Sequence, residues 1–154
     1  MNSGKLQIWM ADDDEDDSNL FQEVLKELPF QSTFTIVTSG DRLMQMLTEG
    51  RVGFPDILFL DLNMPGKTGY DCLLEIRQNE KLKHIPIVIF STSFEYKIMT
   101  TLYNNGANYY IRKPNDYSHL KKVIYLALTS YRSNKLIQPT RENFVLTHEI
   151  YQIG

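Results

Sequence analysis

Two short runs in this chain, Ile57-Leu58-Phe59-Leu60 and Ile87-Val88-Ile89-Phe90, are apolar at every position. Successive side chains of a strand point to opposite faces, so a run without alternation has to bury both faces. Such strands lie at the centre of a parallel sheet, with one layer of helices above and another below. The two runs therefore predict an α/β sandwich before anything else is read.

Further strand candidates, rich in Ile, Val, Phe or Tyr and too short for helices, stand at Leu6–Ala11, Phe34–Thr38 and Tyr109–Ile111. Segments with helical spacing separate them. Leu20, Phe21, Val24, Leu25 and Leu28 precede Pro29, and Leu43, Met44, Met46 and Leu47 precede Gly50. Three more helices are predicted at Tyr70–Gln78, Glu95–Asn104 and Tyr117–Arg132, with Gly106 placed to end the fourth in a left-handed cap. Right-handed crossovers then give a flavodoxin-like doubly wound (βα)5 fold, its central parallel five-stranded sheet in the order 2-1-3-4-5. The expected domain is 5–132, and 133–154 is expected to be a C-terminal extension too short for a domain of its own. The apolar side chains of Glu142–Tyr151 are expected to pack either on a twofold mate or back on their own subunit.

Composition serves mainly to exclude. With 42% hydrophobic and 23% charged residues the chain is ordinary for a globular protein. The single cysteine, Cys72, rules out an internal disulfide and a multi-cysteine zinc site, and reads as a buried thiol in a reducing compartment. No stretch suits a signal peptide or membrane span, so the expected location is cytoplasmic with no membrane partner. A net charge of −3 lacks the basic excess that would favour direct nucleic-acid binding. His84, His119 and His148 have no metal-ligand spacing and receive no role.

The chemistry collects at strand ends, where open α/β sheets bind ligands. Asp12, Asp13, Asp14, Glu15, Asp16 and Asp17 follow the first strand. Their plain reading is a solvated turn in which Asp16 or Asp17 caps the first helix. Their functional reading is a hard-cation site, since Mg²⁺ takes a few carboxylates together with water and phosphate oxygens. Asp61 ends the third strand and would converge on those acids, although alone it could merely bond its own turn. Ser91 closes the fourth strand, and Lys113 closes the fifth, just before Pro114. A carboxylate nucleophile, a metal, a hydroxyl donor and an ammonium are together what phosphoryl transfer requires.

Through Asp12-Asp13-Asp14, Asp61-Leu62-Asn63-Met64-Pro65-Gly66, Ser91-Thr92 and Lys113-Pro114, the chain resembles the response-regulator receiver family over residues 5 to 132. The resemblance implies a two-component signalling protein, not a turnover enzyme, that assists its own phosphotransfer and dephosphorylation. Asp61 would accept phosphate from a histidine kinase or histidine phosphotransfer protein. Asp12, Asp13, Asp61 and the backbone carbonyl of Asn63 would arrange Mg²⁺. Ser91 and Lys113 would hold the phosphoryl group, and Tyr110 would turn inward as Ser91 moves, changing the surface of helix four, strand five and helix five. Tyr109 should point to the opposite face. Thr68 departs from the pattern, standing where many receivers carry Asp before the Gly. The Leu-Asn-Met-Pro-Gly-Lys stretch looks like that of stand-alone, phytochrome-associated receivers, and output is then expected through a partner, through a homodimer formed by helix four, strand five and helix five or by the extension, or by relaying the phosphate onward to another protein.

Two other functions compete. An aspartate-nucleophile phosphatase is disfavoured because Asn63 stands where a second carboxylate would serve as general acid and base. A phosphorylation-independent adaptor is disfavoured because every expected phosphorylation residue is present.

Overall fold

The computed structural model describes residues 4–147. Its sheet is parallel throughout and built from β1 (Leu6–Ala11), β2 (Ser32–Val37), β3 (Ile57–Leu60), β4 (Ile87–Ser91), β5 (Tyr109–Arg112) and β6 (Val145–Leu146). The order is β2-β1-β3-β4-β5-β6, so the expected 2-1-3-4-5 arrangement is borne out and a sixth strand extends it. Five helices lie between the strands: α1 (Glu15–Glu27), α2 (Gly40–Glu49), α3 (Gly69–Gln78), α4 (Tyr96–Asn104) and α5 (Tyr117–Asn134). Among the described residues no helix is long and apolar enough to cross a membrane.

The unbroken apolar runs are explained by two separate core layers. Leu58, Leu60, Ile87 and Ile89 face α2 and α3 through Leu43, Leu47, Leu73 and Ile76. Ile57, Phe59, Val88 and Phe90 face α1 and α5 through Phe21, Val24, Ile124 and Leu128. Each strand thus feeds both layers with alternate residues, and neither face is free to carry a polar group. Tyr109 and Tyr110 divide the same way, Tyr109 toward α5 and Tyr110 into the other layer. Cys72 is fully buried, and burial pushes its thiol up to about 12, so it remains protonated.

Local chemistry fixes the helix ends. Asp14, not Asp16 or Asp17, caps α1, its carboxylate accepting from the N–H groups of Asp16 (2.9 Å) and Asp17 (3.2 Å). Asp14 has the extended backbone a cap needs, and Asp16 and Asp17 fall inside the first turn. Thr68 caps α3 in a reciprocal box with Asp71, which is why a hydroxyl serves as well there as a carboxylate. After α4, Gly106 adopts φ +96, and the N–H groups of Gly106 and Ala107 return to Tyr103 and Leu102, the expected left-handed stop.

Arg77 braces the opposite end of the sheet, and among the described residues no carboxylate pairs with it. Its guanidinium donates to the carbonyls of Gly106, Lys83 and Ile85 and to the side-chain oxygen of Asn108. Burial pulls its pKa down to about 10, and it stays charged. The extension, as far as Thr147, folds back on its own subunit, and residues 148–151, including His148, lie outside the described residues.

Phe21 concentrates the α1 layer, its ring lying 4.8 Å from Phe59, 5.4 Å from Phe34 and 5.7 Å from Phe90. Phe21→Ala is expected to cost roughly 3–5 kcal/mol in urea unfolding. Leu20→Ala, one residue away but 45% exposed, should change stability by less than about 0.5 kcal/mol. Equal losses in the two variants would contradict this layer assignment.

Candidate functional site

The backbone ladders run one residue beyond the strands, and this is what fixes the site. Asp12 N–H donates to the Val37 carbonyl (2.9 Å), Asp61 N–H to Ala11 (2.9 Å) and Lys113 N–H to Ser91 (2.9 Å). The residues carrying the chemistry therefore sit at the C-terminal edge with their main chains already anchored. Behind them Gly69 leaves room for the turn after β3, because a Cβ there would collide with the Asp61 carbonyl. Its own N–H closes that turn on Leu62 at 3.0 Å.

Asp12, Asp13 and Asp61 are brought together: each offers a carboxylate oxygen, and these oxygens lie within 4.8 Å of one another. Asp12 and Asp61 are buried, and Asp13 is exposed at the rim. One Asp12 oxygen accepts from the Asp14 N–H at 2.9 Å. The other lies 2.9 Å from Lys113 Nζ, yet its orientation satisfies no hydrogen bond. We read that contact as an ion pair that leaves a buried oxygen still short of a partner. A hard cation suits this donor set: carboxylates at one point and one unsatisfied buried oxygen.

Lys113 is shared. Its ammonium donates to Asp17 at 2.8 Å, pairs with Asp12 at 2.9 Å and stands 3.7 Å from Asp61, above the Phe90 ring. Burial pulls the ammonium toward its neutral form, but its hydrogen bond to Asp17 and the carboxylate charges of Asp12 and Asp61 outweigh it, so its pKa rises above the ordinary value. Asp61 moves the other way from a normal carboxylate. Burial first, then the neighbouring Asp12 charge, push it up to about 6, against the pull of Lys113 and of the Leu62 and Asn63 N–H groups. Burial likewise raises Asp12, opposed by Lys113.

Ser91 is fully buried at the end of β4, its Oγ accepting from the Ser93 N–H at 3.2 Å. Tyr110 is already turned inward and fully buried, its hydroxyl donating to the Ser93 carbonyl. Asn63 is exposed in the loop after β3. The residue that sequence reasoning missed is Asp17, which holds Lys113. Only the register of α1, set by the Asp14 cap, turns Asp17 toward β5, and an unbroken run of acids hides that register.

The family model for the response regulator receiver domain matches residues 8–125. Response regulator Rcp1 of Synechocystis sp. is 33% identical over 121 residues, covering 76% of this chain and 82% of Rcp1. The Mn²⁺-bound crystal structure of Rcp1 superposes with a TM-score of 0.75 at 31% identity, over 88% of this chain and 99% of that one. The phosphorylated cyanobacterial phytochrome response regulator RcpA gives a TM-score of 0.78 at 28% identity, with the same coverage of 88% and 99%.

The Asp61 shift has a sign that can be measured. A carboxyl whose folded pKa, about 6, exceeds its ordinary 3.8 favours the folded state below about pH 4, and that contribution is lost as pH rises through 6. With divalent ions chelated, the wild type should therefore lose on the order of 2–3 kcal/mol relative to Asp61→Asn between pH 4 and 7.5. Urea unfolding of both proteins across that range checks it, and a pH-independent difference would refute the buried-charge account.

Proposed function

The chain belongs to the response regulator receiver domain family of two-component signalling, and from that premise we propose that Asp61 is its phosphoacceptor. The observation that carries the reading is the meeting of the Asp12, Asp13 and Asp61 carboxylates beside the Lys113 ammonium. The phosphate donor is the phosphohistidine of a histidine kinase or histidine phosphotransfer protein. An Asp61 oxygen forms the new P–O bond as the P–N bond breaks, and the imidazole leaves with its electron pair and takes up a proton. A pKa of about 6 leaves Asp61 mostly ionised near neutral pH, hence ready as nucleophile.

Asp12, Asp13, Asp61 and the Asn63 carbonyl would hold Mg²⁺, directly or through water, and the ion would neutralise charge on the phosphoryl oxygens. Lys113 already stands beside Asp61 and carries its proton throughout, so it pairs with a phosphoryl oxygen without being recruited from solvent. The Ser91 hydroxyl donates to a second oxygen. Ser91 and Tyr110 then alter the face made by α4, β5 and α5, which a downstream protein reads. The protein acts as a signalling switch in the cytoplasm, with its own residues assisting both transfer and hydrolysis.

Intact-mass analysis after incubation with a small-molecule phosphodonor tests the assignment. One phosphoryl mass is expected on the wild type with Mg²⁺, and none on Asp61→Asn or in chelator. Asp13→Ala should lower Mg²⁺ affinity by about tenfold or more, a first ligand costing at least what an outer partner does. Phosphorylation of Asp61→Asn to the wild-type level would place the acceptor elsewhere.

A further inference from the structure

The extension beyond α5 is fastened to the chain at several points, and its last contacts reach toward the phosphoryl site. It leaves α5 through Lys135 and Leu136, consecutive non-glycine residues at φ 59 and 58. Leu136 is fully buried, and its carbonyl accepts from the Asn108 side chain at 2.7 Å. Tyr103 donates to the Pro139 carbonyl at 2.6 Å, and Gln138 donates to the carbonyls of Tyr103 and Ala107. Two left-handed residues in succession are costly and persist only where surrounding contacts over-determine them. This return of the chain is therefore built.

Phe144 stands directly before β6. It is 3% exposed, its ring meets Tyr103 edge-on at 5.2 Å and lies 6.3 Å from Tyr110, and its carbonyl accepts the Tyr110 N–H at 3.0 Å. From Tyr110 the contacts continue inward: its hydroxyl bonds the Ser93 carbonyl, and the Ser93 N–H bonds Ser91 Oγ. Beyond these bonds the loop is held by Arg112, 4.8 Å from the centre of the Phe94 ring, while the Glu95 cap of α4 makes no side-chain hydrogen bond and Leu102 is the one buried residue of the helix.

We propose that Phe144 is a positioning residue for the phosphoryl site, holding Tyr110 inward and, through Ser93, setting the Ser91 hydroxyl where a phosphoryl group on Asp61 meets it. The inference rests on Asp61 being the phosphoacceptor. Coupling of this kind is reciprocal: if Phe144 favours the bound arrangement of Ser91, a phosphoryl group tightens Phe144 on Tyr110.

The test uses beryllofluoride, a phosphoryl mimic, with Mg²⁺ and the full chain. Phe144→Ala is expected to bind it about fivefold or more weakly, with Mg²⁺ affinity measured alone unchanged and Phe144→Leu recovering most of the loss. In a Tyr110→Leu background, Phe144→Ala should have no further effect, a result that general loosening of the fold would not give. In the wild type, beryllofluoride should slow hydrogen exchange at the Tyr110 amide, and this arm decides the question if Phe144→Ala fails to fold. Wild-type affinity in Phe144→Ala, or unchanged Tyr110 exchange, overturns the positioning role while leaving the phosphoacceptor reading intact. Failure of the wild type to take beryllofluoride at all overturns that reading and this inference with it.

Discussion

Among the described residues, the ammonium of Lys113 is the one cation paired with a set of carboxylates that are withdrawn from water to very different degrees, and the site depends on it. At an effective dielectric of about 20, a charge pair some 3.7 Å apart, as Lys113 and Asp61 are, is worth roughly 4 kcal/mol before desolvation. Lys113 serves Asp12 and Asp17 as well. One positive charge cannot neutralise three negative ones, and the upward shift of Asp61 to about 6, caused first by its burial, has the neighbouring Asp12 charge as its second cause. The three carboxylates thus leave room for a further cation beside the proposed phosphoacceptor. On that proposal, metal affinity and nucleophile placement would both draw on the same crowding of buried acids.

What allows so unfavourable an arrangement is the rigidity of the sheet beneath it. β3 and β4 are sealed in apolar layers on both faces, and the ladder bonds at Asp12, Asp61 and Lys113 extend that order one residue into the loops. Side chains on such supports lose little further freedom on meeting a ligand, which is where the precision of a site on regular elements comes from. The close approach of Gly69 to the Asp61 carbonyl adds a local constraint, because any side chain there would push the turn out of place.

Much of this was legible in the sequence, for a reason visible in particular residues. Ile57–Leu60 and Ile87–Phe90 announce two-sided burial, and the alternation of five strands with helical segments points to a doubly wound sheet that binds ligands at its C-terminal strand ends. Asp12, Asp61, Ser91 and Lys113 could then be read simply as the polar residues that end apolar strands. Asp17 could not, because its role depends on where α1 begins, and six consecutive acids offer no unique cap. β6 escaped because two residues cannot display a period of two. The start of β2 at Ser32 escaped because Ser32 and Thr33 lack the apolar character that marks the rest of the strand.

β6 matters out of proportion to its length. Without it β5 would be an edge strand, presenting unpaired N–H and C=O groups to any passing chain. With it, Tyr110 lies between β4 and β6, bonded to Phe144 on one flank and aligned with Ile89 on the other. A ring enclosed in this way has little room to signal by swinging between solvent and core. On the proposed reading, a phosphoryl group on Asp61 would act through Ser91, Ser93 and Tyr110 on Phe144 by tightening contacts that already exist. A network of that kind would transmit stability more than displacement, so the state of Asp61 would be read as how firmly the extension is held.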